Sequence, residues 1–443
     1  MKVQFRMLLL LVVMSLVLSA CAPATAPAAP AAEQAAAQPA ADTAATSGEK
    51  IQVRFWYGLG GELGEVIETQ IKKFNESQDE IEVVGVFQQS YNGVQEKFQA
   101  ALVSGDVPEL VQIEIHGTPK FASAGALTPL EPFMENDPEF NFDDLIPAGL
   151  LNQSWNDTIY AMPINRSTPV LYYNKAMFEE AGVEPPTTWQ EFREVAKTFT
   201  QGEGDDKTYG FLATVSWWYF ESMVWGAGGE IMDAEMTTAT YAEAGAGPLQ
   251  IWADMIHQDG TARAFAGDQA WEQRNQAFAN GKGAMTFDST AGLRGILRAV
   301  DNKFEIATAF VPHMEGFTTA VPTGGAAAGI PAAVSEEKKQ AAWTFIKWWI
   351  STEENAYWSK ETGYWPVRYS SVEQLRAEGY YNENPAFETT INQLEFAKAA
   401  PSTPFWPAIS KEMTTAIEDV LINNTPAIDA LTAAQERTQP ELE

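Results

Sequence analysis

Strand-like and helix-like segments alternate along the chain from residue 51 onward. Runs rich in β-branched and aromatic residues lie at 51–59, 81–87 and 110–115. The apolar residues between these runs recur every three or four positions, which is the spacing of one helix face. This βαβαβ order predicts a parallel or mixed sheet covered by helices, with ligands at the carboxyl ends of the strands. Tyr91 and Glu114 fall near such ends.

A second region of the same kind follows. A strand-like run at 170–173 precedes a helix that opens with a capping box, in which Thr188 and Glu191 are the paired residues. A further strand-like run covers 209–213, and the rest of the chain is increasingly helical. Two α/β lobes with a cleft between them are the simplest architecture for this order of segments.

The N-terminus has the features of an export signal. Lys2 and Arg6 precede an apolar run at 7–18, and small residues then lead to Cys21, the only cysteine of the chain. The apolar run is too short for a mature membrane helix, so residues 1–20 are predicted to be a signal peptide. The arrangement resembles a bacterial lipobox, in which Cys21 would be lipidated; the alternative is a buried cysteine.

The segment 21–50 is dominated, after its cysteine, by Ala, Pro, Thr, Gln and Ser. Such a composition buries too little apolar surface to offset the cost of ordering the chain. We expect a lipidated cysteine followed by a disordered tether. This anchor would be the only contact with a membrane, and it would hold the body at the outer face of the cytoplasmic membrane or in the periplasm.

The chain is strongly acidic, with 28 Lys and Arg against 59 Asp and Glu and a formal net charge of −31. Such a surface repels nucleic acids and anionic lipid headgroups. One cysteine and three histidines are too few for a disulfide framework, a Cys/His zinc site or a cysteine nucleophile with its partners. We therefore predict no nucleic-acid partner, no metal and no catalytic residues.

Two glycine-rich segments do not have the spacing of nucleotide-binding motifs. The glycines of 58–64 follow G-x-G-x-x-x-G rather than G-x-G-x-x-G, and 281–283 lacks the upstream spacing of a phosphate-binding loop. A tight turn between strand and helix is the better explanation of the first segment. No cofactor is predicted.

Aromatic residues make up 12% of the chain and form two dense clusters, at 216–219 and 363–366. Flat rings with polar edges suit the C–H faces of sugars and polyols, whose hydroxyls are bonded at the rim. For each single tryptophan a place in the core is at least as good an explanation, but the clusters together favour a ligand cleft. Glu114 is either an acceptor for a ligand hydroxyl or an ordinary carboxylate.

Short segments along nearly the whole body are similar, in order, to those of a known family. They are 55–56 with 61–64, 104–108, 167–175, 185–189, 284–286, 324–325 and 362–364. On these segments the chain resembles the extracellular solute-binding proteins of bacterial ATP-driven importers, of carbohydrate type, and most closely the members that bind glycerol-3-phosphate. The most specific of the segments are 167–175 and 362–364.

The resemblance implies an α/β, two-lobed periplasmic-binding-protein fold, type II and maltose-binding-protein-like, with a hinge and an interlobe cleft. The N-terminal lobe would comprise 51–164 plus about 291–334, and the C-terminal lobe 165–290 plus about 335–443. A monomer would capture a solute and deliver it to the permease of an ABC importer, which a separate ATPase drives.

Matching to the family implies ligand contacts from both lobes. The matched positions are Tyr91, Ser167, Trp217, Ser289, Gly325 and Tyr364. A second family tryptophan has no clear counterpart, and Trp218 is the candidate substitute. The family's acidic residue falls on Ile115, one place after Glu114, and a one-residue shift on a strand turns a side chain to the other face. That contact would be lost unless a bulge compensates.

The family's phosphate-binding arginine has no counterpart. It should fall at 401–411, where the sequence has a proline and aromatic stretch that includes Trp406. Either Arg166 or Arg368 serves instead, or the ligand carries no phosphate. The extra ring of Trp406 favours a neutral saccharide or polyol, and glycerol-3-phosphate or a glycerophosphodiester is the alternative solute.

Two other functional classes stay open at this point. A surface-anchored carbohydrate hydrolase would use a pair of carboxylates at a defined separation, which a sequence does not give. An adhesin or structural surface protein would bind no small molecule.

Overall fold

The computed structural model describes residues 50–442; the predicted signal peptide, Cys21 and nearly all of the predicted tether lie outside them. The strands are β1 (Ile51–Tyr57), β2 (Ile81–Phe87), β3 (Leu110–Glu114), β4 (Ser154–Trp155), β5 (Thr158–Ile159), β6 (Ala161–Ser167), β7 (Pro169–Asn174), β8 (Tyr209–Thr214), β9 (Ala262–Phe265), β10 (Gly283–Ser289), β11 (Ile306–Ala309), β12 (Val321–Pro322), β13 (Gly324–Gly329) and β14 (Ala397–Lys398). The helices are α1 (Gly61–Ser77), α2 (Tyr91–Ser104), α3 (Gly117–Ser123), α4 (Glu131–Glu135), α5 (Pro147–Leu150), α6 (Lys175–Ala181), α7 (Trp189–Phe199), α8 (Trp217–Trp225), α9 (Tyr241–His257), α10 (Ala270–Ala279), α11 (Leu293–Val300), α12 (Glu336–Trp349), α13 (Thr352–Thr362), α14 (Tyr369–Ala377), α15 (Tyr380–Glu383), α16 (Pro385–Gln393), α17 (Trp406–Leu421) and α18 (Ala427–Leu442). Among these helices, none combines the length and the apolar character needed to cross a membrane.

The first sheet has five strands in the order β2-β1-β3-β13-β6. β1 pairs in parallel with β2 and β3, whereas β13 is antiparallel to both β3 and β6. α1 packs on β2 and buries Ile67, Ile71 and Phe74. The predicted βαβαβ order is confirmed, since α1 and α2 join the three parallel strands.

The second sheet has the order β11-β7-β10-β8-β9. It is covered by α7, whose first turn has the predicted capping box. The Thr188 side chain accepts the backbone N–H of Glu191, and the Glu191 side chain accepts the backbone N–H of Thr188. Trp189 and Phe192 of this helix are buried and pack against Phe287 of β10, with ring centroids 5.6 Å away in both cases. The cap and the aromatic packing together fix α7 on the sheet.

The chain passes between the two sheets more than once. Only Thr168 separates the end of β6 in the first sheet from the start of β7 in the second. The chain returns to the first sheet between β11 and β13. The last two helices, α17 and α18, pack on α9, which connects β8 to β9 in the second lobe. The predicted two-lobed α/β architecture is confirmed.

Two segments differ from the expected division into lobes. The stretch 291–334, expected in the N-terminal lobe, includes β11, which pairs with β7 of the second sheet. The stretch 335–443, expected in the C-terminal lobe, includes α12, which packs on β1 of the first sheet. We propose boundaries that place β11 in the C-terminal lobe and α12 in the N-terminal lobe, because a segment belongs to the sheet that buries it.

Candidate functional site

A cavity of about 420 Å³, the central cavity, lies where the two lobes meet. Its volume is within the range of about 300–1,000 Å³ that small-molecule sites occupy. Most of the predicted ligand residues line it: Tyr91, Glu114, Ser167, Trp217, Trp218, Ser289, Gly325 and Tyr364. The remaining lining residues are Val215, Ser216, Trp271, Gly324 and Thr414.

The polar lining residues lie at the ends of strands. Glu114, Ser167 and Ser289 are the last residues of β3, β6 and β10. Tyr91 and Trp217 are the first residues of the helices that follow β2 and β8. Open α/β sheets bind ligands at these ends, because the chain leaves the sheet there and exposes side chains that the sheet would otherwise cover.

One side of the central cavity, the hydroxyl wall, consists of Tyr91 and Tyr364 with the amides of Asn165 and Gln112 behind them. The two tyrosine hydroxyls are 3.2 Å apart. Asn165 Nδ2 donates to the Tyr91 hydroxyl at 2.8 Å, and Gln112 Nε2 donates to Asn165 Oδ1 at 2.9 Å. Burial raises the pKa of both tyrosines, so both hydroxyls are neutral at physiological pH. Neutral hydroxyls both donate and accept, which suits a polyhydroxylated ligand.

A second part of the lining, the aromatic wall, consists of Trp217, Trp218 and Trp271. Trp218 Nε1 donates to the carbonyl oxygen of Thr323 at 3.3 Å, which fixes the ring beside the first sheet. The Trp218 and Trp271 ring centroids are 6.5 Å apart and the rings are tilted by 37°. Sequence analysis missed Trp271, which stands alone among polar residues rather than in a dense aromatic cluster.

A buried ion pair lies directly behind the aromatic wall. Arg274 and Asp288 are 2.8 Å apart, and their side chains are only 0% and 3% exposed. The Arg274 guanidinium also lies over the Trp271 ring, 5.1 Å from its centroid. Asp288 Oδ1 accepts the backbone N–H of Ser289 at 2.6 Å. The pair therefore positions both a ring and a hydroxyl of the central cavity.

Two adjacent glycines form the floor of the central cavity. Gly325 has φ +90°, a left-handed conformation, and a Cβ there would lie 2.0 Å from the carbonyl oxygen of Asn165. A Cβ on Gly324 would lie 2.6 Å from the Trp218 ring. Only glycine fits at Gly325, because any side chain would collide with backbone.

Glu114 faces the central cavity, although its family alignment predicted a lost contact. β3 ends at Glu114, and Ile115 is fully buried. The Glu114 carboxylate accepts the backbone N–H of His116 at 3.1 Å and is 2.7 Å from His116 Nδ1. The alternation of faces holds along β3: Ile113 and Ile115 are buried, and Glu114 between them points to the opposite face, where it reaches the lining.

A second cavity of about 710 Å³, the side compartment, opens beside the central cavity. The two cavities share Tyr91, Glu114 and Trp217. Trp406 lines only the side compartment, where its ring stacks on His116 with centroids 4.6 Å apart and planes 10° apart. Trp217 meets both rings edge-on, at 5.1 Å from His116 and 5.4 Å from Trp406.

The two arginines proposed as phosphate anchors do not reach either cavity. Arg166 is fully buried on the face of β6 opposite to Ser167, and its guanidinium donates to the Leu151 carbonyl and the Thr323 hydroxyl. It has no ion pair within residues 50–442, and burial lowers its pKa to about 9. Arg368 is buried too, and it pairs with Asp144 at 3.1 Å.

The central cavity has an acidic rather than a basic character. Glu114 is the acidic residue of its lining, and within residues 50–442 the lining includes no lysine, arginine or histidine. A phosphate placed there would meet a carboxylate without a charged donor to offset it.

Comparison with known proteins identifies the family. Residues 69–389 match the sequence profile of the bacterial extracellular solute-binding proteins. The chain belongs to this family. The resemblance found in the sequence is thereby confirmed, and the chain is a solute-binding protein of the kind that ABC importers use.

Named relatives of this solute-binding protein bind several solutes. The sn-glycerol-3-phosphate-binding periplasmic protein UgpB of Yersinia pseudotuberculosis is 26% identical over 362 residues, which cover 77% of this chain and 80% of that protein. UgpB from Mycobacterium tuberculosis, solved in complex with glycerophosphocholine, superposes with a TM-score of 0.79 at 28% identity over 89% of this chain and 99% of its own. The cyclic alpha-maltosyl-1,6-maltose binding protein from Arthrobacter globiformis gives a TM-score of 0.75 at 25% identity, with coverages of 89% and 99%.

Proposed function

We propose that this solute-binding protein captures a neutral saccharide or polyol in the central cavity and delivers it unchanged to the permease of an ABC importer. The observation that carries the proposal is the lining of that cavity. Rings from Trp217, Trp218 and Trp271 offer apolar faces, while the hydroxyl wall and Glu114 offer hydrogen-bonding groups. This combination of apolar faces and few polar groups is what binds sugars in pockets.

Glycerol-3-phosphate or a glycerophosphodiester is the second candidate. The names of the UgpB relatives favour it, since those proteins bind glycerol-3-phosphate or glycerophosphocholine. The buried positions of Arg166 and Arg368 argue against it in this chain, because a phosphate needs fixed positive charge within hydrogen-bond reach.

The proposed mechanism is closure of the lobes on the solute. Glu114 ends β3 and Tyr91 follows β2, both in the first sheet, whereas Trp217 and Ser289 belong to the second lobe. A solute that contacts both sets binds the closed form more tightly than the open one and shifts the population toward it. The closed form would present the permease with a distinct surface. No covalent step or cofactor is needed for this task.

The proposal includes an exported, lipid-anchored monomer. The sequence of residues 1–20 supports export, and Cys21 supports a lipid anchor at the outer face of the membrane. The tether would leave the cavity free to sample solutes while it keeps the body close to its permease.

A ligand panel tests the proposed function. The mature chain from residue 21, with Cys21→Ser, is heated with monosaccharides, disaccharides, polyols, glycerol-3-phosphate and glycerophosphocholine. A solute at 100 times its Kd adds about 2.7 kcal/mol to the free energy of unfolding and should visibly raise the Tm. We expect a rise with a neutral sugar or polyol. A rise with the phosphate esters alone would favour the second candidate, and no rise with any of them would contradict both.

Variants of the lining test the placement of the site. Trp217→Ala and Tyr364→Ala are each expected to weaken the binding of the solute found in the panel by more than tenfold, because each removes a ring from the cavity. Calorimetric titration measures the Kd, and circular dichroism shows that each variant is folded. Tyr369→Ala, an aromatic residue that is 49% exposed, is the matched control. Unchanged affinity in both variants would rule out the central cavity.

A further inference from the structure

The side compartment has a chemistry of its own. Tyr91, Gln95 and Gln99 follow each other at four-residue spacing on α2 and line one side of it. The ring of Trp406 also lines the compartment and is stacked on His116. Planar amides beside aromatic rings offer hydrogen-bond donors and acceptors next to an apolar face, which is the same pairing that the central cavity offers with hydroxyls.

One buried polar atom in this compartment has no partner. His116 is only 5% exposed, and its Nδ1 is engaged by Glu114. Its Nε2 has no hydrogen-bond partner within residues 50–442. This nitrogen is covered from solvent, so His116 contributes to the compartment through its ring, on which Trp406 stacks.

The compartment is not built for an anion, although three helices begin beside it. The N-terminus of α2 is capped by the Ser90 side chain, which accepts the N–H of Gly93 at 3.0 Å. The N–H of His116 before α3 is taken by Glu114. Lys120 is the lysine of the lining, and Glu96 and Glu114 outnumber it. The α2 terminus is capped and two carboxylates lie in the lining, so the compartment offers little to a phosphate.

Three residues border both cavities. Tyr91, Glu114 and Trp217 line both, so the two cavities are neighbours that meet at these side chains. The Glu114 carboxylate bonds His116 of the side compartment, and the Tyr91 hydroxyl bonds Tyr364 of the central cavity. Each cavity alone has the volume of a small-molecule site, so the two together exceed what one sugar ring needs.

We propose that the side compartment holds a second sugar ring, so that the solute is a neutral glycoside of at least two linked rings. One ring occupies the central cavity between the hydroxyl wall and the aromatic wall. The other lies between the α2 amides and the Trp406 ring, and the glycosidic linkage passes between Trp217 and Glu114. This inference rests on the proposed function and names the size class of its solute.

Matched pairs of mono- and disaccharides test the inference. Calorimetric titrations of the mature chain use glucose with maltose, cellobiose and trehalose, galactose with lactose and melibiose, and mannose with mannobiose. For the sugar that binds, we expect the disaccharide to have a Kd at least tenfold below that of its monosaccharide. In Gln95→Ala/Gln99→Ala, which replaces two amides on a helix with the best helix former, we expect this ratio to fall below threefold.

Gln273→Ala, an exposed glutamine on α10, is the matched control and should keep the native ratio. A disaccharide that binds no better than its monosaccharide would overturn the inference and leave the proposed function standing. A native ratio retained by the double variant would also overturn it, since the second ring would then lie elsewhere. Binding of a polyol but of no sugar would overturn the inference alone, whereas failure of every sugar and every polyol of the ligand panel to bind would refute the proposed function on which it depends.

Discussion

The two sides of the central cavity are supported by different physical means. Behind the aromatic wall lies a fully buried ion pair, Arg274 with Asp288, which contacts Trp271 and Ser289. Behind the hydroxyl wall lies a chain of neutral hydrogen bonds from Gln112 through Asn165 to Tyr91. Charges buried in protein must be paired, whereas neutral groups need only a donor or an acceptor. Replacing a residue of the ion pair should therefore lower the free energy of unfolding more than replacing a residue of the neutral hydrogen-bond chain.

The largest expected effect is the loss of the buried cation. Arg274→Met leaves Asp288 buried without its partner and should lower the free energy of unfolding by about 3–5 kcal/mol. Urea denaturation measures the change. Arg298→Met is the matched control, because its ion pair with Glu62 is about half exposed and should contribute less than about 1 kcal/mol. Equal effects from the two variants would contradict the contrast between the walls.

A pH-dependent effect is expected from Glu221, on the same helix as Trp217. Its side chain is fully buried and has no hydrogen-bond partner within residues 50–442. Burial, with a further contribution from Glu114, raises its pKa well above the usual range, so the folded state retains its proton. The stabilisation that this proton gives is fully present below the unfolded pKa of about 4.3 and is lost as pH rises toward the folded pKa.

Glu221→Gln should remove this loss of stability with rising pH. Between the two pKa values, the native protein should lose about 1.4 kcal/mol of stability per pH unit through this group, and the variant should not. Urea denaturation at a series of pH values measures the difference between the two slopes. Glu180→Gln, at an exposed position, should keep the native slope. Parallel curves for the native protein and Glu221→Gln would show that the carboxyl is not protonated.

The smallest effect is expected at the hydroxyl wall. Tyr364→Phe removes one neutral hydroxyl that faces Tyr91 at 3.2 Å and should lower stability by about 1 kcal/mol. Tyr369→Phe, at a half-exposed ring, should have no measurable effect. If Tyr364→Phe proved as destabilising as Arg274→Met, the two walls would not differ in the way proposed.

Much of the fold could be predicted because local sequence patterns determine its strands and helices. The alternation of strands and helices gave the βαβαβ order, and the Thr188 and Glu191 pair marked the start of α7. Most of the predicted ligand residues line one cavity, and several of them lie at strand ends, which open α/β sheets bring together.

Other features depend on which face of a strand meets the cavity or on tertiary contacts. Glu114 follows the rule of alternating faces, since Ile113 and Ile115 beside it are buried and Glu114 lines the cavity. Arg166 obeys the same rule, since its neighbour Ser167 faces the cavity and Arg166 must then face away. That orientation was available from the sequence, whereas the role of Trp271 was not. The ring reaches the cavity because Arg274 binds Asp288 on another element, a contact that no local pattern encodes.

The single residue between β6 and β7 has a mechanical consequence. Ser167 lines the cavity, and the chain enters the other lobe directly after Thr168. In the proposed closure, a solute bound beside Ser167 would lie close to the pivot, and the outer edges of the lobes would lie farthest from it. A small rotation about this pivot would displace those edges much more than the residues around the solute, so the proposed closed form would differ from the open form most at the surfaces that a permease can reach.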